Sequence, residues 1–108
     1  MDPATLAKIE NVKKAVARIK NSENASIRIC EFCDNVNLII MDVQHEKFEK
    51  VQSWIQIYDV QADMSILMNT VLHPFHLSLE EKQVYKDDIQ TIIDFIEYAR
   101  IHSKKSEV

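Results

Sequence analysis

The sequence predicts an all-α fold, a compact bundle of four to five helices, and three observations point there. The chain has no glycine in 108 residues, where average usage near 7% would supply roughly eight. Apolar residues recur at spacings of three and four along most of its length, the period of a helix face. Helix-start signals, Asp2-Pro3 and Ser78-Leu-Glu-Glu81, open the first and last of these stretches. Primed hairpin turns and strand-to-helix elbows lean on glycine's positive φ. Its absence therefore disfavours sheets. It also removes the P-loop, the dinucleotide fingerprint and the G-x-S-x-G elbow, and with them most enzymes that a sequence can announce.

The first helix is expected over 3–20. Asp2 supplies a capping acceptor, and Pro3 sits where its missing N–H costs nothing. Leu6, Ile9, Val12, Val16 and Ile19 then share one face. Asn21-Ser-Glu-Asn24 is polar and cap-rich, hence a turn. A second helix is expected over 24–41, with Ile29, Phe32, Cys33, Val36, Ile40 and Val43 along its stripe and Ile27, Leu38 and Met41 off it. The Ile and Val content of this stretch allows an alternative, an α+β fold with a hairpin at 26–43.

Two further helices are expected over 43–57 and 59–72. Phe48, Val51, Ile55 and Tyr58 form one stripe, flanked by Trp54. Ile57, Val60, Met64, Leu67 and Val71 form another, on nearly the opposite side of any continuous helix at 100° per residue. One core cannot serve both faces of a straight helix. The pattern implies a break near Asp59 or a helix held between two partners. Asp42-Val-Gln-His-Glu46 and Asp59-Val-Gln-Ala-Asp63 echo one another, and both read as helix caps. Pro74 interrupts the pattern. Ser78 and Glu81 then form a capping box for a last helix over 78–103, with Tyr85, Ile89, Ile92, Ile96 and Ala99 as its seam. Residues 104–108 read as a flexible tail after a single domain spanning 1–108.

Composition sets the class of partner. Apolar residues at 46% and charged residues at 28% are ordinary for a folded domain. A net charge of −4 opposes non-specific binding to phosphate backbones, so nucleic acid is disfavoured. The first helix runs against this balance, carrying Lys8, Lys13, Lys14, Arg18 and Lys20. It is the best candidate for an electrostatic contact, although the simpler reading pairs these cations with the acidic remainder of the domain. No secretory signal and no membrane-spanning run is visible, and two cysteines make no disulfide framework. A cytoplasmic protein with no membrane association is expected.

Three constellations could carry chemistry. Cys30 and Cys33, with His73 and His76 far along the chain, make up the ligand set of a structural zinc. If 26–43 were a hairpin, the two sulfurs could face one metal. In a helix, Cys33 would be core and Cys30 half-buried. A thioredoxin-type redox pair would need a βαβ setting, which the sequence does not offer. Asp42, His45 and Glu49 could share one side of a helix, yet no second Glu-x-x-His motif completes a di-metal site.

The sequence thus favours a small non-enzymatic interaction or regulatory module of adaptor, inhibitor or immunity type, with no cofactor. It would act through an apolar helix face on another protein or a second copy of itself, a homodimer. The expected contact residues are Met64, Leu67, Met68 and Val71, with Trp54 and Tyr58 as aromatic anchors, although the same stripe equally fits a central helix of the domain buried all round. The alternative is a zinc-stabilised domain using Cys30, Cys33, His73 and His76, associated with nucleic acid.

Overall fold

A computed structural model describes residues 3–22, 25–47, 49–51 and 78–105. Among them 89% are helical and no strand occurs. Helix α1 spans Pro3–Lys20, α2 spans Ile27–Gln44 and α3 spans Leu79–Lys105. Residues 49–51 are also helical. The stretches 52–77 and 106–108 lie outside the described residues, and with them the helix expected over 59–72. At 1.5 Å per residue the 27 residues of α3 extend about 40 Å, which accounts for most of the molecule's 48 Å long axis.

Helix α1 begins at Pro3, as its backbone chemistry predicts. Its buried side chains are Ile9, Val12, Ala15, Val16 and Ile19. This arc is broader than a single-partner stripe because α1 packs against both α3 and α2. Leu6, expected on the stripe, is 48% exposed. It points to the flank of the face, and Thr5 takes the inward position on that turn. The helix stops without any positive φ. Ser22 Oγ donates to the Ile19 carbonyl at 2.8 Å, and the Asn21 and Ser22 amides bond back to Ala17 and Ile19.

The hairpin alternative at 26–43 is overturned, since that segment is α2. Its start falls at 27 rather than 24 because Ser26 is the cap, accepting from the Ile29 amide at 3.2 Å. All six expected stripe residues, Ile29, Phe32, Cys33, Val36, Ile40 and Val43, are buried. Ile27, Leu38 and Met41 are exposed, as their register requires. Ile39 and Asp42 are buried in addition.

The end of α2 corrects a second expectation. Asp42 does not open the next helix; it lies in the last turn of α2, which runs on to Gln44 rather than stopping at 41. Glu46 adopts φ 57°, the sole positive φ among the described residues. The Glu46 amide bonds to the Val43 carbonyl at 3.1 Å and the Lys47 amide to the Asp42 carbonyl at 2.8 Å. These two bonds make a Schellman motif. The chain turns back over the helix end, where Asp42 is 6% exposed.

Helix α3 is capped by Ser78, whose Oγ accepts from the Glu81 amide at 3.1 Å. Ile89, Ile92, Ile96 and Ala99 are buried along its seam, Tyr85 is partly buried, and Phe95 and Asp88 join them. The helix continues through 104 and 105, which the sequence assigned to a tail. It runs antiparallel to α1: Thr5 Oγ1 meets the Tyr98 hydroxyl at 2.8 Å near one end, and Arg18 meets Asp88 near the other. Val51 is fully buried in the same core. No helix among the described residues is long and apolar enough to cross a membrane.

Candidate functional site

The described residues offer three places where chemistry or binding could reside: the sulfur pair on α2, the ends of the α1–α3 seam, and an open apolar groove. The residues on which the sequence placed its interface, Trp54, Tyr58, Met64, Leu67, Met68 and Val71, lie outside the described residues. So do His73 and His76.

Cys30 and Cys33 are one helical step of three apart on the inner side of α2. Cys33 is at 0% exposure and Cys30 is half-buried; both are free thiols. Burial pushes the Cys33 thiol up to about 11, helped by the neighbouring Cys30 and Asp34 and opposed by Lys20. A zinc site needs thiolates, and this setting favours the protonated thiol at Cys33. Among the described residues no group of three or more His, Cys, Asp and Glu side chains converges on a metal-sized position. The set Asp42, His45 and Glu49 does not share a helix side. His45 caps the end of α2, and the reversal at Glu46 separates it from Glu49.

The seam between α1 and α3 is fixed at one end by an ion pair. Arg18 Nε donates to Asp88 Oδ2 at 2.8 Å and Nη2 to Oδ1 at 2.6 Å, a two-pronged fit of guanidinium to carboxylate. The Asp88 side chain is 4% exposed and that of Arg18 is 51% exposed. The Asp88 hydrogen bond raises the Arg18 pKa above its ordinary value. The signal was available in the sequence: Asp88 lies within the arc of the α3 seam, between Tyr85 and Ile92, where a charge must find a partner. A second cation of α1, Lys20, pairs with Asp34 of α2 at 2.5 Å.

At the other end Tyr98 collects contacts. Its hydroxyl meets Thr5, the Lys8 ammonium sits 5.6 Å from its ring centroid, and the His102 ring lies 4.0 Å away at 34°. His102 Nδ1 is buried without a hydrogen-bond partner. Two cations of α1, Arg18 and Lys20, thus pair with acidic residues of the same domain, as the simpler reading of this helix expects, and Lys8 lies over the Tyr98 ring.

The groove lies between the C-terminal part of α1 and the first turns of α3. It has a volume of about 440 Å³ and is lined by Ala17, Arg18, Asn21, Glu81, Val84 and Tyr85. Val84 on its wall is 48% exposed, and Leu79, five residues earlier, is 85% exposed. A smaller, more polar depression of about 170 Å³ is bounded by Lys8, Asn11, Thr91, Asp94 and Phe95.

Comparison with known proteins finds no family model, no curated protein and no solved structure that matches this chain.

Proposed function

We propose that this chain is a small non-enzymatic helical interaction module that acts by presenting an apolar helix face to another protein, with a second copy of itself as its first partner. The observation that carries this reading is the pair of opposed stripes between Phe48 and Val71. Val51 belongs to the first stripe, and it is fully buried in the core. Val51 is the member of that stripe among the described residues, and on the sequence pattern Phe48, Ile55 and Tyr58 share its side. In any helix continuous with it, Met64, Leu67 and Val71 face the other way. Methionines at 64 and 68 suit such a face, since their unbranched side chains adapt to an irregular partner.

A regulatory role of adaptor, inhibitor or immunity type agrees with a surface of this kind and with a chain that carries no glycine-dependent catalytic motif. Trp54 is the sole tryptophan, which makes it a reporter for the aromatic anchor. Its emission is expected to shift to longer wavelength as the protein is diluted through the dissociation range. An emission maximum independent of concentration, together with a monomer mass at every concentration, would remove the self-association half of the proposal.

A further inference from the structure

The sulfur pair on α2 has a spacing that bears on thiol–disulfide chemistry. In a regular helix the Cα atoms of residues three apart are separated by about 5 Å, inside the range of roughly 4.4–6.8 Å found across disulfides. Their Cβ atoms are roughly 5–6 Å apart, wider than the mean of about 3.8 Å in a disulfide. A Cys30–Cys33 bond can therefore close if the start of α2 gives way by about 1–2 Å. Ser26 is one of the residues that hold that start. Ser26 accepts from the Ile29 amide through its hydroxyl at 3.2 Å and from the Cys30 amide through its carbonyl at 3.0 Å. Ile27 in the same turn is 82% exposed and adds nothing to the core.

The two thiols differ in access. Cys30 is half-buried, whereas Cys33 is sealed beneath it. The Lys20 ammonium is tied to Asp34, the residue after Cys33, which places a cation along this stretch of α2. A small oxidant meets Cys30 first, and Cys33 stands three residues on to complete the exchange.

We propose that Cys30 and Cys33 form a reversible dithiol–disulfide site for low-molecular-weight disulfides, with Cys30 as the entering thiol and Cys33 as the resolving one. The Cys30 thiolate attacks one sulfur of the small disulfide, forming a mixed disulfide and releasing one small thiolate. As α2 opens locally, Cys33 reaches solvent, gives up its proton and attacks the Cys30 sulfur, forming the intrachain bond and releasing the second small thiolate. Two protein thiols are oxidised and one small disulfide is reduced to two thiols. Closing the bond loosens the Ser26 cap, so the redox state is coupled to the order of the first turn of α2. The mismatch in Cβ spacing makes the bond a labile one, readily reopened by excess thiol.

The test is intact-mass analysis of the full chain after incubation with oxidised glutathione, followed by peptide mapping. Wild type is expected to lose two hydrogens with the bond mapped to Cys30–Cys33, and to regain them in reduced glutathione. Cys33→Ala, which keeps an apolar side chain in the core, is expected to stop at a single glutathione adduct on Cys30. Cys30→Ala is expected to remain unmodified while folded. Ser26→Ala is expected to speed closure several-fold. The proposal is overturned if folded wild type stays fully reduced under conditions that oxidise the urea-unfolded chain. It is equally overturned if wild type accumulates the stable adduct, or if Cys30→Ala takes up glutathione as fast as Cys33→Ala.

Discussion

Glu46 shows what a chain without glycine does when a helix must stop sharply. A left-handed backbone costs a non-glycine residue roughly 1–2 kcal/mol, and the Schellman bonds from Glu46 and Lys47 hold it there. Glu46→Gly is expected to raise unfolding free energy by about 1 kcal/mol, with part of the gain offset by the looser unfolded chain. Urea denaturation reads this directly, and an unchanged midpoint would mean that the glutamate is not strained. Arg18 is the opposite case, a residue whose partner cannot do without it. Arg18→Ala leaves the Asp88 carboxylate buried and unpaired, and is expected to cost about 1–2 kcal/mol, reduced from a fully buried pair because Arg18 is half exposed. Arg18→Lys should recover less than half of that, because an ammonium cannot reproduce the two-pronged contact. Cys33 carries a pH signature. Its folded pKa of about 11 stands above the ordinary 9.0. The unfolded chain therefore loses its proton first, and stability present below pH 9 falls as pH rises toward 11. Cys33→Ala should flatten that part of the profile relative to wild type.

At the scale of elements, local chemistry made the ends of α1 and the start of α3 readable, and tertiary context decided the rest. Pro3 and the Ile9-to-Ile19 spacing define α1 from sequence alone. Ser78 does the same for α3, and Ser78→Ala is expected to destabilise the protein by about 1 kcal/mol, measured by thermal or urea unfolding. The end of α2 was not readable in this way, since its stop uses a glutamate where the usual signal is glycine. Asp42 looked like a cap because aspartate favours caps, yet it sits in a last turn that the returning chain covers. Burial of Ala15, Ile39 and Phe95 was also hidden from single-stripe patterns, because an arc touching two neighbours is wider than a stripe touching one. The hairpin alternative rested on β-branched residues at 26–43. Those same residues fall into a helical register that buries Ile29, Val36, Ile40 and Val43 together, and burial outweighs a propensity difference of under about 1 kcal/mol per residue.

For the whole molecule, the proposed function requires more apolar surface than one small core consumes. Helices α1, α2 and α3 share a core that takes in Val51, and the sequence supplies a further stripe from Ile57 to Val71, outside the described residues. The proposed face is a sequence pattern at residues outside the described ones, and the pattern does not name its occupant, because helix faces advertise burial without naming what buries them. Sedimentation equilibrium of wild type beside Leu67→Glu, with far-ultraviolet circular dichroism on both, tests this most directly. The account predicts a concentration-dependent dimer for wild type and a monomer of unchanged helicity for Leu67→Glu. A wild type that stays monomeric, or a Leu67→Glu chain that unfolds, would contradict it and return Leu67 to the interior of the domain.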